Sequence, residues 1–317
     1  MKIAIINSSD IAKRRIIPAL KQIPDVEITA VCSRDLEKAK SYATEFGIPF
    51  YTNEPDIIDN VDAVYISSPP GLHYQYVKKF IDKGIHVFCE KSLTVKPGET
   101  EYLVKEAEHK GVIIQENYAF EYHPQWIWIK DNLDKIGDLQ YIRASFEFPP
   151  RNPLEDFRYK KELGGGSLYD AGGYPIKLAS MLMSDLKCCK STCKVSDEYG
   201  VDLSGNCYVI DELGTPAFLS WGFQSNYKCY VELVGSEGTI TANKIFTPKA
   251  NESVSVYVKY LDNSTEDHVF TDDHFVQIFK DFKRRIKTND NSHHINLIKQ
   301  SNWQSYVSTF GISTIIK

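Results

Sequence analysis

An acid and a base stand side by side at Glu90-Lys91, directly after the apolar run Ile85 to Cys89. Ligands of open parallel sheets gather beyond the carboxyl ends of the strands, so an amine at such an end is well placed for chemistry. The plain alternative is a surface lysine paired with Glu90. A second set of residues follows the first apolar run: Asn7-Ser8-Ser9-Asp10-Ile11-Ala12. A dinucleotide turn normally carries Gly-x-Gly-x-x-Gly there, because a pyrophosphate presses against backbone amides at a helix N-terminus. Here all three glycines are replaced, yet Asn tolerates left-handed backbone angles, Ser is small and Ala permits close helix-sheet packing, so the turn can still serve. Asp10 is expected to cap the helix, since a carboxylate aimed at a pyrophosphate would repel it. Ser33-Arg34 ends the second apolar run. An acid at that point suits the ribose 2′-hydroxyl of NAD, whereas arginine with a small hydroxyl suits a 2′-phosphate, so NADP(H) is favoured over NAD(H). Asp35 stays available to an NAD ribose.

The elements that must position these residues follow from apolar spacing. Residues 2 to 6 form a strand, and Ile11, Ala12, Ile16, Ile17, Leu20 and Ile23 recur at helical intervals. Val26 to Cys32 reads as a second buried strand, and Asp35 can cap a helix from Leu36 to about Phe46 that stops at Gly47. Val61 to Ile66, Ile85 to Cys89 and Val112 to Gln115 read as further strands, separated by helices over Leu72 to Lys83 and Pro97 to Lys110. This alternation predicts an α/β fold, with a Rossmann-like, doubly wound parallel sheet over residues 1–119. Beyond it, Leu139 to Phe148, Cys207 to Ile210, Ala217 to Ser225, Cys229 to Val234 and Ser253 to Tyr260 look like strands, and Gly235-Ser236-Glu237-Gly238 is a turn. Phe275 to Ile286 and Gln300 to Phe310 have helical periodicity, and the polar run Lys287 to Ser292 reads as an exposed loop. Residues 120–317 are therefore expected to form a substrate-binding α+β domain with a large, mainly antiparallel open sheet. A sheet face left bare of helices predicts a homo-oligomer, a dimer or tetramer.

The bulk properties agree. A chain of 317 residues is long for one core and comfortable for two. Its 42% hydrophobic and 25% charged residues are those of an ordinary globular protein. A net charge of -5 argues against nucleic acid or an anionic membrane surface as a partner. No stretch approaches the roughly 20 apolar residues of a membrane helix, and the N-terminus lacks a signal-peptide cleavage region, so a cytoplasmic location is expected. The seven cysteines are an odd set in a chain too large to need staples, which predicts reduced thiols. Cys188, Cys189 and Cys193 have no His or second Cys pair at zinc spacing, so no metal site is expected.

Several landmarks stand in order: Ile11 to Leu20 with Arg14-Arg15 and Pro18-Ala19, Ser68-Pro69-Pro70-Gly71-Leu72-His73, Cys89-Glu90-Lys91-Ser92-Leu93, Glu116-Asn117-Tyr118 with His123-Pro124, and Leu163-Gly164-Gly165-Gly166-Ser167-Leu168-Tyr169-Asp170-Ala171-Gly172-Gly173-Tyr174-Pro175. Over nearly the whole chain this resembles the glucose-fructose oxidoreductase, inositol dehydrogenase and rhizopine-catabolism (Gfo/Idh/MocA) family. Within it, Asp10-Ile11-Ala12, the arginine pair, Ser33-Arg34, Phe157-Arg158-Tyr159 and Gly172-Gly173-Tyr174-Pro175 are similar to NADP-dependent ketoreductases of nucleotide-linked deoxysugars. Dihydrodiol and xylose dehydrogenases share the tyrosine. The resemblance implies catalytic roles for Lys91, Asp170 and Tyr174. Ser92 replaces the proline that usually follows the lysine and stiffens its turn. It further implies a cofactor held by Asn7, Ser8, Ser9, Asp10, Ile11, Ser33, Arg34, Ser68, Pro69, His73, Glu90 and Lys91, and a substrate met by Lys91, Tyr118, His123, Arg158, Asp170 and Tyr174.

Reducing a ketone with a nicotinamide needs hydride at carbon and a proton at oxygen. Tyr174 could give that proton if the Lys91 ammonium lowered its normally high pKa of about 10. Asp170 and Tyr174, four apart, would share one face of a helix after the glycines, leaving Asp170 to orient substrate hydroxyls or to hold Lys91. Gly164-Gly165-Gly166 would let backbone pass close to nicotinamide or substrate, or be a flexible loop. Arg158 suits a diphosphate, or else a salt bridge with Glu155 or Asp156. The expected activity is NADPH-dependent reduction of a keto group on a nucleotide-linked hexose. The alternatives are a dehydrogenase of a free sugar, polyol or trans-dihydrodiol, and a sugar-ligand or partner-binding protein with weakened cofactor binding.

Overall fold

The structure, a computed structural model, describes residues 1–309 and 311–316 and the side chains of all of these except Cys188 and Ile316. The expected helix end at Phe310 and the Cys188 thiol lie outside what is described. The chain divides into two compact units, Met1–Tyr118 with His274–Ile298, and Ala119–Asp273 with the residues from Lys299 onward.

In the first unit, β1 (Lys2–Ile6), β2 (Glu27–Cys32), β3 (Phe50–Thr52), β4 (Ala63–Ile66), β5 (His86–Cys89) and β6 (Ile114–Glu116) form one sheet in the order β3-β2-β1-β4-β5-β6. Every pairing is parallel. β4 is buried at all of its positions, the continuous apolar run expected of a strand covered on both faces. The crossovers run through α1 (Ile17–Leu20), α2 (Leu36–Phe46), α3 (His73–Asp82) and α4 (Glu99–His109). Asp35 caps α2 by accepting from the Glu37 and Lys38 amides, and Gly47 ends it in a left-handed conformation. The helix expected from Ile11 forms with a wide π turn, Ala12–Ile16, ahead of α1. Strand order reverses between β1 and β4, where ligands of such sheets bind.

The second unit opens with α5 (Pro124–Asp131), β7 (Leu139–Glu147) and α6 (Gly173–Leu182). It continues through β8 (Leu186–Ser196), β9 (Asp202–Asp211), β10 (Pro216–Gly222), β11 (Lys228–Gly235), β12 (Gly238–Asn243), β13 (Glu252–Tyr260) and β14 (Thr265–Asp272). After α7 (His274–Thr288) and α8 (His294–Thr309), β15 (Gly311–Ile316) completes a nine-stranded sheet, ordered β14-β13-β12-β11-β7-β10-β9-β8-β15. Among the described residues only β7 with β10 and β8 with β15 pair in parallel, so the sheet is mainly antiparallel, as expected. β8, β12, β14 and β15 were not anticipated. β14, Thr-Glu-Asp-His-Val-Phe-Thr-Asp, alternates in exposure without an apolar face to announce it.

α7 belongs to the first unit and runs to Thr288, into the segment expected to be a loop. Phe279 stacks on Phe88 at 4.0 Å and Phe282 meets Phe88 edge-on at 5.4 Å, with both side chains fully buried. Burying two such rings draws the chain back to the first sheet. Next, His293 Nε2 lies 2.7 Å from the Ile114 carbonyl, and the Ile114 amide donates to His294 Nε2 at 3.1 Å. These two rings satisfy backbone groups of edge strand β6 that have no further strand to pair with. Among the described residues no helix is long and apolar enough to cross a membrane.

Candidate active site

Asn7 adopts φ +76°, the left-handed backbone that a glycine usually supplies after β1. Its Nδ2 donates to the Ser67 carbonyl at 3.1 Å and its amide to the Cys32 carbonyl at 2.7 Å, so one residue ties the ends of β1, β2 and β4 together. Ser9 Oγ donates to Ser67 Oγ at 2.7 Å and accepts from the Ala12 amide at 3.2 Å. Ser9 therefore caps the first helix, and the capping expected of Asp10 does not occur. The Asp10 carboxylate is exposed and paired with Arg14, one turn along. Ser8 is buried and bonds Ser33 Oγ at 3.0 Å, while Ile11 is half-buried at the helix start. Asn7, Ser33, Arg34, Ser68 and Pro69 line one cleft at the reversal of strand order, joined there by Asn53. This arrangement fits a dinucleotide. The left-handed turn, small side chains and helix start are those a pyrophosphate requires, and Arg34 stands at the end of β2. Ser67 and Asn53 were missed, although Ser67 directly follows β4 and could have been found from that position.

Lys91 follows β5 in a loop whose neighbours on both sides are tied down, and its peptide bond to Ser92 is cis. The Glu90 carboxylate accepts from Tyr65 Oη at 2.7 Å and Asn117 Nδ2 at 2.6 Å, and burial raises its pKa. The Leu93 amide donates to the Glu116 carboxylate at 2.7 Å. His73 is fully buried, with its two ring nitrogens each 2.7 Å from a carbonyl oxygen, those of Ser92 and Ser68. Burial holds its pKa down at about 4. His73, at the start of α3, thus ties the Ser68 backbone to the loop that carries Lys91. These bonds hold the loop where the family's proline would otherwise stiffen it. Tyr118 is 1% exposed, too buried to line a cleft as expected.

In the second unit, the helix expected after the glycines starts with a π turn, Leu168–Gly172, that carries Asp170 and leads into α6 with Tyr174. Such wide turns recur at functional sites. The Tyr174 ring stands among Phe146, Phe246 and Phe120 at centroid distances of 4.9, 5.5 and 6.2 Å. Asp202 accepts from Ser167 Oγ at 2.5 Å and the Leu168 amide at 2.8 Å, capping this helix from β9. Burial raises the pKa of Asp202. The glycine run is used by the protein itself, which neither reading of it foresaw. A Cβ on Gly165 would lie 2.5 Å from the Arg158 carbonyl oxygen, and one on Gly166, at φ +117°, would strike the Asp202 carboxylate.

Arg158, expected at a substrate phosphate, donates instead to Asp170 through Nε at 2.5 Å and Nη2 at 3.2 Å, and to Asp156 through Nη1 at 3.0 and 3.1 Å. Of the two salt-bridge partners expected for it, Asp156 is the one that forms. Burial opposes charge on Arg158, but Asp170 and then Asp156 outweigh it and hold its pKa above the ordinary value. His123 is a further correction: it is fully buried, accepts from the Gln125 amide at 3.2 Å and caps α5, so it does not line a cleft. Burial lowers its pKa to about 4. Lys91 thus belongs to the first unit, and Asp170, Tyr174 and Arg158 to the second. Among the described residues no cluster of His, Cys, Asp and Glu is placed to hold a metal ion.

Residues 1–118 match the family model of the oxidoreductase family with an NAD-binding Rossmann fold, and residues 132–241 match the GFO/IDH/MocA C-terminal domain. The chain is 32% identical over 291 residues to a dTDP-3,4-didehydro-2,6-dideoxy-alpha-D-glucose 3-reductase of Actinomadura kijaniata, covering 90% of this chain and 87% of that one. It is 28% identical to D-xylose 1-dehydrogenase (NADP(+)) 2 of Haloferax volcanii, over 78% and 77% of the two chains. A solved structure of a 3-ketoreductase from Actinomadura kijaniata in complex with NADP and TDP-benzene matches with a TM-score of 0.95 and 31% identity, over 100% of this chain and 99% of that one.

Proposed function

The chain belongs to the Gfo/Idh/MocA family and is an NAD(P)-dependent oxidoreductase; from that premise we propose that it uses NADPH to reduce a keto group on a nucleotide-linked hexose. The observation that carries this reading is the cleft in which Arg34 and Ser33 stand beside the left-handed turn at Asn7, together with likeness to a 3-ketoreductase along the whole chain. Asn7, Ser9 and the helix start would hold the pyrophosphate, and Arg34 with Ser33 the 2′-phosphate. NADPH, when bound, supplies the hydride. To Tyr174 we assign delivery of a proton from Oη to the carbonyl oxygen, and to Lys91 the stabilisation of charge developing there. General acid help of this kind is worth on the order of 100-fold to 10,000-fold. Asp170 is assigned to a substrate hydroxyl.

The test is a calorimetric titration with NADPH and with NADH, followed by cofactor oxidation against dTDP-linked keto-hexoses and free sugars. Tight NADPH binding with turnover of nucleotide-linked substrates is expected. Binding of neither cofactor would defeat the reading, and turnover of free sugars alone would favour the dehydrogenase alternative, which likeness to a D-xylose dehydrogenase motivates. The odd set of seven cysteines supports a cytoplasmic location. Self-association as a dimer or tetramer is supported by an aromatic patch on the nine-stranded sheet. Phe218 there is 46% exposed and meets the rings of Tyr208 at 5.1 Å and Tyr141 at 6.2 Å. Phe218→Glu is expected to yield monomers in light scattering if that face carries the contact.

A further inference from the structure

We infer that Arg158 is a positioning residue, which acts through Asp170 and takes no part in holding a substrate phosphate. All three guanidinium nitrogens are engaged by carboxylates, Nε and Nη2 by Asp170 and Nη1 by both oxygens of Asp156, so no nitrogen of the fork is left uncommitted for an anion. Its backbone is committed as well. The Arg158 amide donates to Asp156 Oδ1 at 3.0 Å, and its carbonyl accepts from the Gly166 amide at 2.9 Å. Gly165 packs so closely on the same carbonyl that no side chain fits. One residue therefore clasps the loop at Asp156 to the segment that enters the Asp170 turn. The guanidinium fork fixes both Asp170 oxygens in one plane, which a single-point ammonium cannot do. It also supplies the positive charge that lets two carboxylates, Asp156 with a side chain 14% exposed and Asp170 with one 6% exposed, stay near each other. The role of Asp170 that follows is that of an oriented acceptor for a substrate hydroxyl.

This inference rests on the proposed function for its kinetic arm. Arg158→Gln is expected to lower kcat on the order of 10-fold to 100-fold, the loss a misplacement of about 1 Å produces. KM for the nucleotide sugar, and the Kd of thymidine diphosphate measured by calorimetry, should stay within about twofold. Arg158→Lys should recover part of kcat, because charge returns without the fork. Asp170→Asn and the double variant should each lose about as much as Arg158→Gln, since the residues act as a unit. A Kd for thymidine diphosphate raised tenfold or more with kcat unchanged would make Arg158 a phosphate ligand and overturn the inference. Thermal melting supplies an arm that needs no activity: the Tm losses of Arg158→Gln and Asp170→Asn should be strongly non-additive, and additive losses would also overturn it. If the glutamine variant does not fold, Arg158→Lys carries the same comparisons. Absence of keto-sugar turnover in the unaltered protein would defeat the proposed function alone, leaving the melting cycle to decide this one.

Discussion

Tyr174 differs from phenylalanine by one oxygen, and the three phenylalanine rings around it would receive either side chain. Tyr174→Phe should therefore still fold with its ring in place, and cost at least about tenfold in turnover. A smaller loss in steady-state kinetics would assign proton delivery to water. Lys91→Met keeps the stem of the side chain and removes the amine. Tyr65 and Asn117 bond Glu90, His73 bonds Ser92 and Glu116 bonds Leu93 whatever side chain stands at position 91, so turnover should vanish from a folded protein. Arg34, exposed at the rim of the cleft, is a test of cofactor choice. A hydrogen bond to a charged group is worth about 1.5–3 kcal/mol, so Arg34→Ala should weaken NADPH on the order of tenfold or more and NADH much less, as read by calorimetry. Equal losses would remove the 2′-phosphate from its role.

Two elements present the candidate chemistry, and the protein secures each by a different device. The loop after β5 is held by Tyr65, His73, Glu116 and Asn117, which come from the ends of β4 and β6 and the start of α3. Besides the clasp of Arg158 on Asp170, the turn that leads into α6 is capped by one carboxylate from β9. Removing it by Asp202→Ala would leave Ser167 Oγ and the Leu168 amide without that acceptor, at a cost of roughly 1–3 kcal/mol for a buried polar group left unpaired. A drop in Tm of several degrees with reduced kcat is the expected result. An unchanged Tm would show that the turn is held by Arg158 alone. The sequence announces the first device in part, because Glu90, Lys91, Glu116 and Asn117 fall at strand ends that apolar runs reveal. It conceals the second, because Asp202 is more than 30 residues from Ser167 and resembles any polar residue entering a strand.

For the molecule as a whole, the buried histidines set the response to acid. Burial lowers the pKa of His73, His123 and His294 to about 4 and that of His293 to about 3. In the unfolded chain each titrates near 6.5, so the unfolded state binds more protons between these values. Stability should therefore fall as pH is lowered from about 6.5 towards 4. Glu90, Asp202 and Glu99, with pKa values raised by burial, oppose the trend but are fewer. Calorimetric Tm values at pH 7, 6 and 5 should decrease in that order; a flat profile would show that the histidines stay charged in the fold. What the sequence by itself determined is the local part. Strand-helix alternation specified the parallel sheet, Asn7 could adopt the left-handed turn, and Ser33-Arg34 stood at the end of the second strand, where they line the cleft. The strands and the turn follow from neighbours within one or two elements, where apolar period and backbone preference act. Tertiary structure alone decided that Ser9 and not Asp10 caps the first helix, that Arg158 serves Asp170, that His123 is enclosed and that α7 returns to the first sheet. Each of those outcomes depends on which distant group reaches a donor, a charge or an apolar face first, and that competition is settled only when the chain is packed.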